Sequence, residues 1–171
     1  LGHGEHRIVE KHESSGIYYV DRAIDFIIRN KDKPFYLHVF PNDVHDKHVA
    51  TEEKLAKYEN YEKDPFLQAF LAVLDNMDVQ IGRLLDALDE HEITDNTIVI
   101  FTSDNGPTDW PRYYKEGFAP PGYTGPFFGR KWCLYEGGIR MPFIIRWPAK
   151  VEAGKTDGTS IVAALDLFPS C

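Results

Sequence analysis

The sequence predicts an α/β fold, a mostly parallel sheet flanked by helices. Two observations carry that expectation. A β-rich run at residues 35–40, a long helical repeat starting at Pro65 and a second β-rich run at residues 97–102 follow in the order strand, helix, strand. That is the order of a βαβ unit, whose strands run parallel. The second run, Thr97-Ile98-Val99-Ile100-Phe101-Thr102, is almost wholly apolar and β-branched, as in a strand covered on both faces.

Each element has a local reason. Residues 1–16 are polar, and with no apolar frame to fix His3, His6 and His12 they read as a solvated loop. Between Tyr18 and Asn30 the residues Val20, Ala23, Ile24, Ile27 and Ile28 share one helical face. Lys31-Asp32-Lys33-Pro34 ends that helix, and Pro41-Asn42-Asp43 stops the run at 35–40. Asp64-Pro65 has the form of a helix start, Asp as cap and Pro in first position. From Leu67 to Leu88 the apolar residues keep helical spacing, so the helix extends to about His91. Pro107 to Gly129 is rich in Pro, Gly and aromatics and reads as an ordered excursion loop. Phe143-Ile144-Ile145-Arg146-Trp147 is a third strand.

The 171 residues suffice to bury a core, and 43% hydrophobic with 27% charged residues is ordinary globular composition. A formal charge of −8 excludes a general nucleic-acid binder and gives no polybasic membrane anchor. No apolar run reaches the roughly 20 residues of a membrane span. Cys133 and Cys171 are too few for a disulfide framework or a cysteine zinc site. The chain opens on Leu1 and closes inside an apolar pattern, so it is expected to be a piece of a longer protein, cut at both ends.

Parallel strands present their carboxyl ends on one edge, where α/β proteins bind ligands. Two loops therefore matter. Ser103-Asp104-Asn105-Gly106 offers a carboxylate and an amide oxygen, the donors that Ca²⁺ or Mg²⁺ takes. The same letters also make an ordinary strand-ending turn. Pro41 to His48 carries His45 and His48, either an anion or proton-exchange site or plain surface histidines. In Gly129-Arg130-Lys131 through Met141-Pro142, Arg130 and Lys131 are placed to grip an anion or to lie in solvent. The paired Gly137-Gly138 lacks the Walker spacing of a phosphate cradle.

Four stretches in order resemble the type I, formylglycine-dependent sulfatases of the alkaline-phosphatase-like superfamily. They are Tyr19 to Ile27, Pro34-Phe35-Tyr36-Leu37 leading to His45, Asp95 to Gly106, and Gly129 through Pro148. The resemblance implies that residues 1–171 are the central part of a sulfatase catalytic domain, acting on an aryl or carbohydrate sulfate ester. It implies that Asp104 and Asn105 supply oxygens to a divalent cation, usually Ca²⁺. Lys131 would hold a sulfate oxygen, and His45 would contact the sulfate and protonate the leaving oxygen, with His48 as the fallback. The family's nucleophile is a hydrated formylglycine made from a Cys/Ser-x-Pro-x-Arg motif. That motif does not occur in these 171 residues, and Cys133 is followed by Leu134-Tyr135-Glu136. The nucleophile and further metal aspartates are thus expected in the missing N-terminal part, and this stretch alone is expected to be inactive. The family resemblance suggests a periplasmic, secreted or lysosomal location.

Two other classes stand beside this reading. One is a non-catalytic α/β module that binds an anion or a metal. The other is a related phosphatase or phosphodiesterase, which the Glu-Gly-Gly segment with Lys131 fits less well than it fits a sulfatase.

Overall fold

The computed structural model describes residues 15–45, 47–111 and 118–170. His3, His6, His12, Asp46, Cys171 and residues 112–117 of the excursion loop lie outside them.

A π-helical segment, Ser15–Val20, runs into α1, Asp21–Asn30. Val20, Ala23 and Ile27 are buried at helical spacing and form the stripe that faces α3, Pro65–Glu90. From α3 come Ala72, Val73, Ala87 and Leu88, and these seven side chains are the buried apolar core of the described residues. Burying a Val or Ile side chain completely contributes about 1.5–3 kcal/mol. The salt bridge from Arg83 Nη2 to Asp21 Oδ1, 2.7 Å, joins the same two helices at the surface.

The predicted start of α3 is realised. Asp64 Oδ1 accepts from Leu67 N at 3.0 Å, and Pro65 occupies the first turn, where its missing N–H is no loss. The helix ends at Glu90, capped by His91, and Glu92 takes a left-handed φ of 57°. Ile93 N then closes back on Leu88 O at 3.1 Å. A short α2, Glu52–Ala56, precedes α3, with Thr51 as its cap.

The sheet departs from the expectation. Among the described residues it has two strands, β1, Val99–Thr102, and β2, Phe143–Arg146. They are antiparallel, with Val99 opposite Arg146 and Thr102 opposite Phe143. Residues 35–40 alternate as a strand should, with Phe35, Leu37 and Val39 half-buried and Tyr36, His38 and Phe40 exposed. They nonetheless join no sheet among the described residues, so the parallel pairing with residues 99–102 is not found there. Phe35 packs instead edge-on against Phe26 of α1, ring centroids 5.9 Å apart. The alternation reports a half-covered extended segment and does not name what covers it. The third predicted strand is confirmed, but the chain returns through the excursion loop and a single turn, α4, Glu136–Ile139, so that it runs against β1. The last element is α5, Ala164–Ser170. No helix of the described residues is long and apolar enough to cross a membrane.

Candidate active site

Asp104 and Asn105 follow the end of β1 after one residue, Ser103, in the loop the sequence points to. Asp104 is exposed and Asn105 half-buried. Asn105 Nδ2 donates to Gly106 O at 2.9 Å, which turns the planar amide's Oδ1 away from that carbonyl. Ser103 Oγ donates to Asn105 O at 3.1 Å and tightens the turn. These are hard oxygen donors suited to Ca²⁺, which takes about six to eight of them. Two residues cannot complete such a shell, and no group of three or more His, Cys, Asp or Glu among the described residues is placed to hold a metal.

Glycines bring this turn to Lys131. Gly106 N donates to Gly138 O at 2.9 Å, and any Cβ at Gly106 would overlap the Gly137 carbonyl oxygen. Gly137 N in turn donates to Phe128 O at 2.9 Å, and a Cβ there would overlap the Gly129 carbonyl oxygen. Three backbones thus stack with no side chain between them, an approach only glycine permits. Next in line, Lys131 N donates to Pro107 O at 2.9 Å. Asp104, Asn105 and Lys131 are therefore gathered into one cluster by main-chain contacts. The Arg130-Lys131 pair lies between two left-handed residues, Gly129 with φ 86° and Trp132 with φ 75°. A tryptophan in that region is uncommon and costs energy that the surrounding loop must offset.

Arg130, read from sequence as a possible anion grip, is used on the protein itself. Its Nε donates to Thr108 O at 2.7 Å, and its Nη2 lies within reach of Pro120 O, Pro121 O and Gly122 O at 3.3, 2.8 and 3.2 Å. A Pro-Pro-Gly stretch has carbonyls but few N–H groups of its own, so a donor must come from elsewhere.

His45 is exposed, and the contacts that gather the other three residues do not include it. Its loop is held from α3. The buried Asn76 donates through Nδ2 to buried Asp43 Oδ1 at 2.5 Å, two residues before His45, and accepts from Lys54 Nζ of α2. His48 is half-buried, with Nε2 3.2 Å from Val44 O and its ring edge-on to Phe70, centroids 5.3 Å apart. Sequence reading missed Asn76, an amide on the apolar side of a helix with polar demand around it.

Comparison with known proteins follows the same residues. The Sulfatase family model matches residues 9–171. The chain belongs to the sulfatase family. It is 36% identical over 164 residues to the N-acetylgalactosamine-6-O-sulfatase of Bacteroides thetaiotaomicron, covering 94% of this chain and 30% of that protein. It is 32% identical over 187 residues to human arylsulfatase H, covering 96% and 28% of the two chains. Among solved structures, Ps i-CgsB in complex with k-i-k-neocarrahexaose superposes with a TM-score of 0.73 at 30% identity, over 88% of this chain and 32% of that one. A putative sulfatase of Bacteroides fragilis gives a TM-score of 0.59 at 25% identity, over 79% and 31%. The fold of this sulfatase chain is thus alkaline-phosphatase-like, and the chain spans under a third of the length of these relatives.

Proposed function

We propose that the protein is a sulfuric ester hydrolase acting on a carbohydrate or aryl sulfate, within a domain whose complete sheet is mostly parallel. This chain supplies part of the cation and sulfate-binding surface, and the formylglycine nucleophile comes from residues outside it. The observation that carries the reading is the glycine stack that holds an oxygen-donor turn and a lysine together in a chain of the sulfatase family.

Asp104 and Asn105 hold a divalent cation, and Lys131 holds a sulfate oxygen. The bound cation would supply further positive charge next to the sulfate. A sulfate ester stays anionic through S–O cleavage, so fixed positive groups act on it throughout, and such preorganised electrostatics is often the largest catalytic contribution. Lys131 is suited to this as a compact charge on a flexible stem. His45 gives a proton to the ester oxygen as that oxygen leaves carbon-bound. His45 lies exposed on its loop, where its ring can meet a substrate. A leader to the periplasm, lysosome or exterior accompanies this reading.

The test is sulfate release by the full-length protein from 6-O-sulfated N-acetylgalactosamine and from 4-nitrocatechol sulfate, read by ion chromatography. Sulfate from either substrate is the expected result. Release of phosphate from a phosphomonoester, with no sulfate from the two esters, would replace this reading with the phosphatase one.

A further inference from the structure

One side chain joins the excursion loop to the Lys131 segment. The Arg130 guanidinium reaches carbonyl oxygens of Thr108, Pro120, Pro121 and Gly122, from 2.7 to 3.3 Å away. Pro120 and Pro121 are buried and lack N–H groups, so their carbonyls depend on an external donor. The main chain of the same residue is fixed as well. Arg130 O accepts from Cys133 N at 3.3 Å and from Cys133 Sγ at 2.9 Å, and the next residue's N–H is held by Pro107 O. Both ends of the loop therefore meet at the residue that precedes Lys131. A planar fork with five donors suits that cluster, and a point charge does not.

We infer that Arg130 is a positioning residue for Lys131, acting by stapling Thr108 and residues 120–122 to the Lys131 segment. This rests on the sulfatase reading only for what Lys131 is positioned to do. Without the staple, residues 118–122 come away from the Lys131 segment and the Lys131 stem loses its fixed origin. The sulfate ester itself is not touched by Arg130.

The experiment compares the full-length protein with its Arg130→Met and Arg130→Lys variants by three readouts. These are chymotrypsin cleavage after Phe118, which is half-buried and edge-on to Phe66, acylation of Lys131 measured by peptide mass spectrometry, and kcat and KM for sulfate release. Loss of charge-assisted hydrogen bonds should speed cleavage of the loop in Arg130→Met by about tenfold or more, since cutting tracks the open population. Lys131 should acylate about threefold faster or more as its surroundings loosen, because local opening exposes it. A misplaced lysine should lower kcat by about tenfold to a hundredfold. Arg130→Lys should recover little of any readout. In Arg130→Ala, millimolar guanidinium ion should restore slow cleavage and part of kcat, whereas methylammonium should not.

Cleavage and acylation both unchanged in Arg130→Met would overturn the inference. Faster cleavage with Lys131 acylation unchanged would also overturn it, leaving a staple with no effect on the lysine. A fall in kcat with cleavage and acylation unchanged would mean that Arg130 meets the substrate directly. A wild-type protein that releases no sulfate would sink the proposed function, while the cleavage and acylation measurements would still decide the role of Arg130.

Discussion

Lys131 and Gly106 test the site one residue at a time. Lys131→Ala should lower kcat/KM of the full-length enzyme by about a hundredfold, the range found on removing a charge-stabilising donor. Its melting temperature should hardly change, because the fold uses the Lys131 backbone N–H on Pro107 O, which alanine keeps. Lys131→Arg should not restore full rate. Lys155→Ala, in an exposed pair with Glu152, is the control and should behave as wild type in the same steady-state assay. Gly106→Ala should destabilise by about 1–3 kcal/mol or more in a denaturant titration, since its methyl group meets the Gly137 carbonyl oxygen, which cannot move without shifting the stack. That Asp104 and Asn105 follow a β-rich run was legible along the chain, and Lys131 was singled out by the family resemblance. The use of Arg130 was not, because a guanidinium beside a lysine reads as an anion grip until the carbonyls that surround it are known.

α3 ties the histidine loop to the core, and its two ends are held by acids. Asp64→Ala should cost about 1 kcal/mol by removing the cap on Leu67 N. Asn76→Ala should cost about 1–3 kcal/mol, because the amide serves Asp43 and Lys54 at once in a buried place. If His45 acts in the reaction, that variant should also lower kcat more than it raises KM. At the other end, the Thr94 hydroxyl first, and Arg146 of β2 behind it, hold the Asp89 carboxyl below its ordinary value. A depressed folded pKa stabilises above the unfolded value and is lost as pH falls through the folded one. The difference in melting temperature between wild type and Asp89→Asn should therefore be present at neutral pH and fade below about pH 4. It should be small, because the pair is exposed. The bounds of this helix were readable from Asp64-Pro65 and the apolar period. The direction of β2 was not, because local alternation carries no information on which strand lies alongside.

Across the molecule, the buried core of the described residues is thin, and large apolar side chains such as Ile144, Ile161 and Leu165 are 57%, 95% and 87% exposed. The chain spans under a third of its relatives' length, and two oxygen-donor residues are a partial cation shell. Ca²⁺ should therefore raise the melting temperature of the full-length protein and bind these 171 residues alone weakly or not at all by isothermal titration. Submicromolar affinity in the isolated stretch would mean that its own residues complete the shell. At this scale no pattern within 171 residues can report strands and ligands that other residues contribute.

The glycine stack also fixes what can vary around the site. The gap between the oxygen-donor turn and the lysine is measured in peptide thickness, since Gly106 rests on Gly137 and Gly137 on Gly129 with no side chain between. A spacing built that way cannot drift with the size of neighbouring residues. An exposed position on the same segment, such as Leu134, is free to be exchanged without altering it. The molecule thus separates a ruler, which sets the distance between two charges, from a rim that can be re-cut for one ester or another.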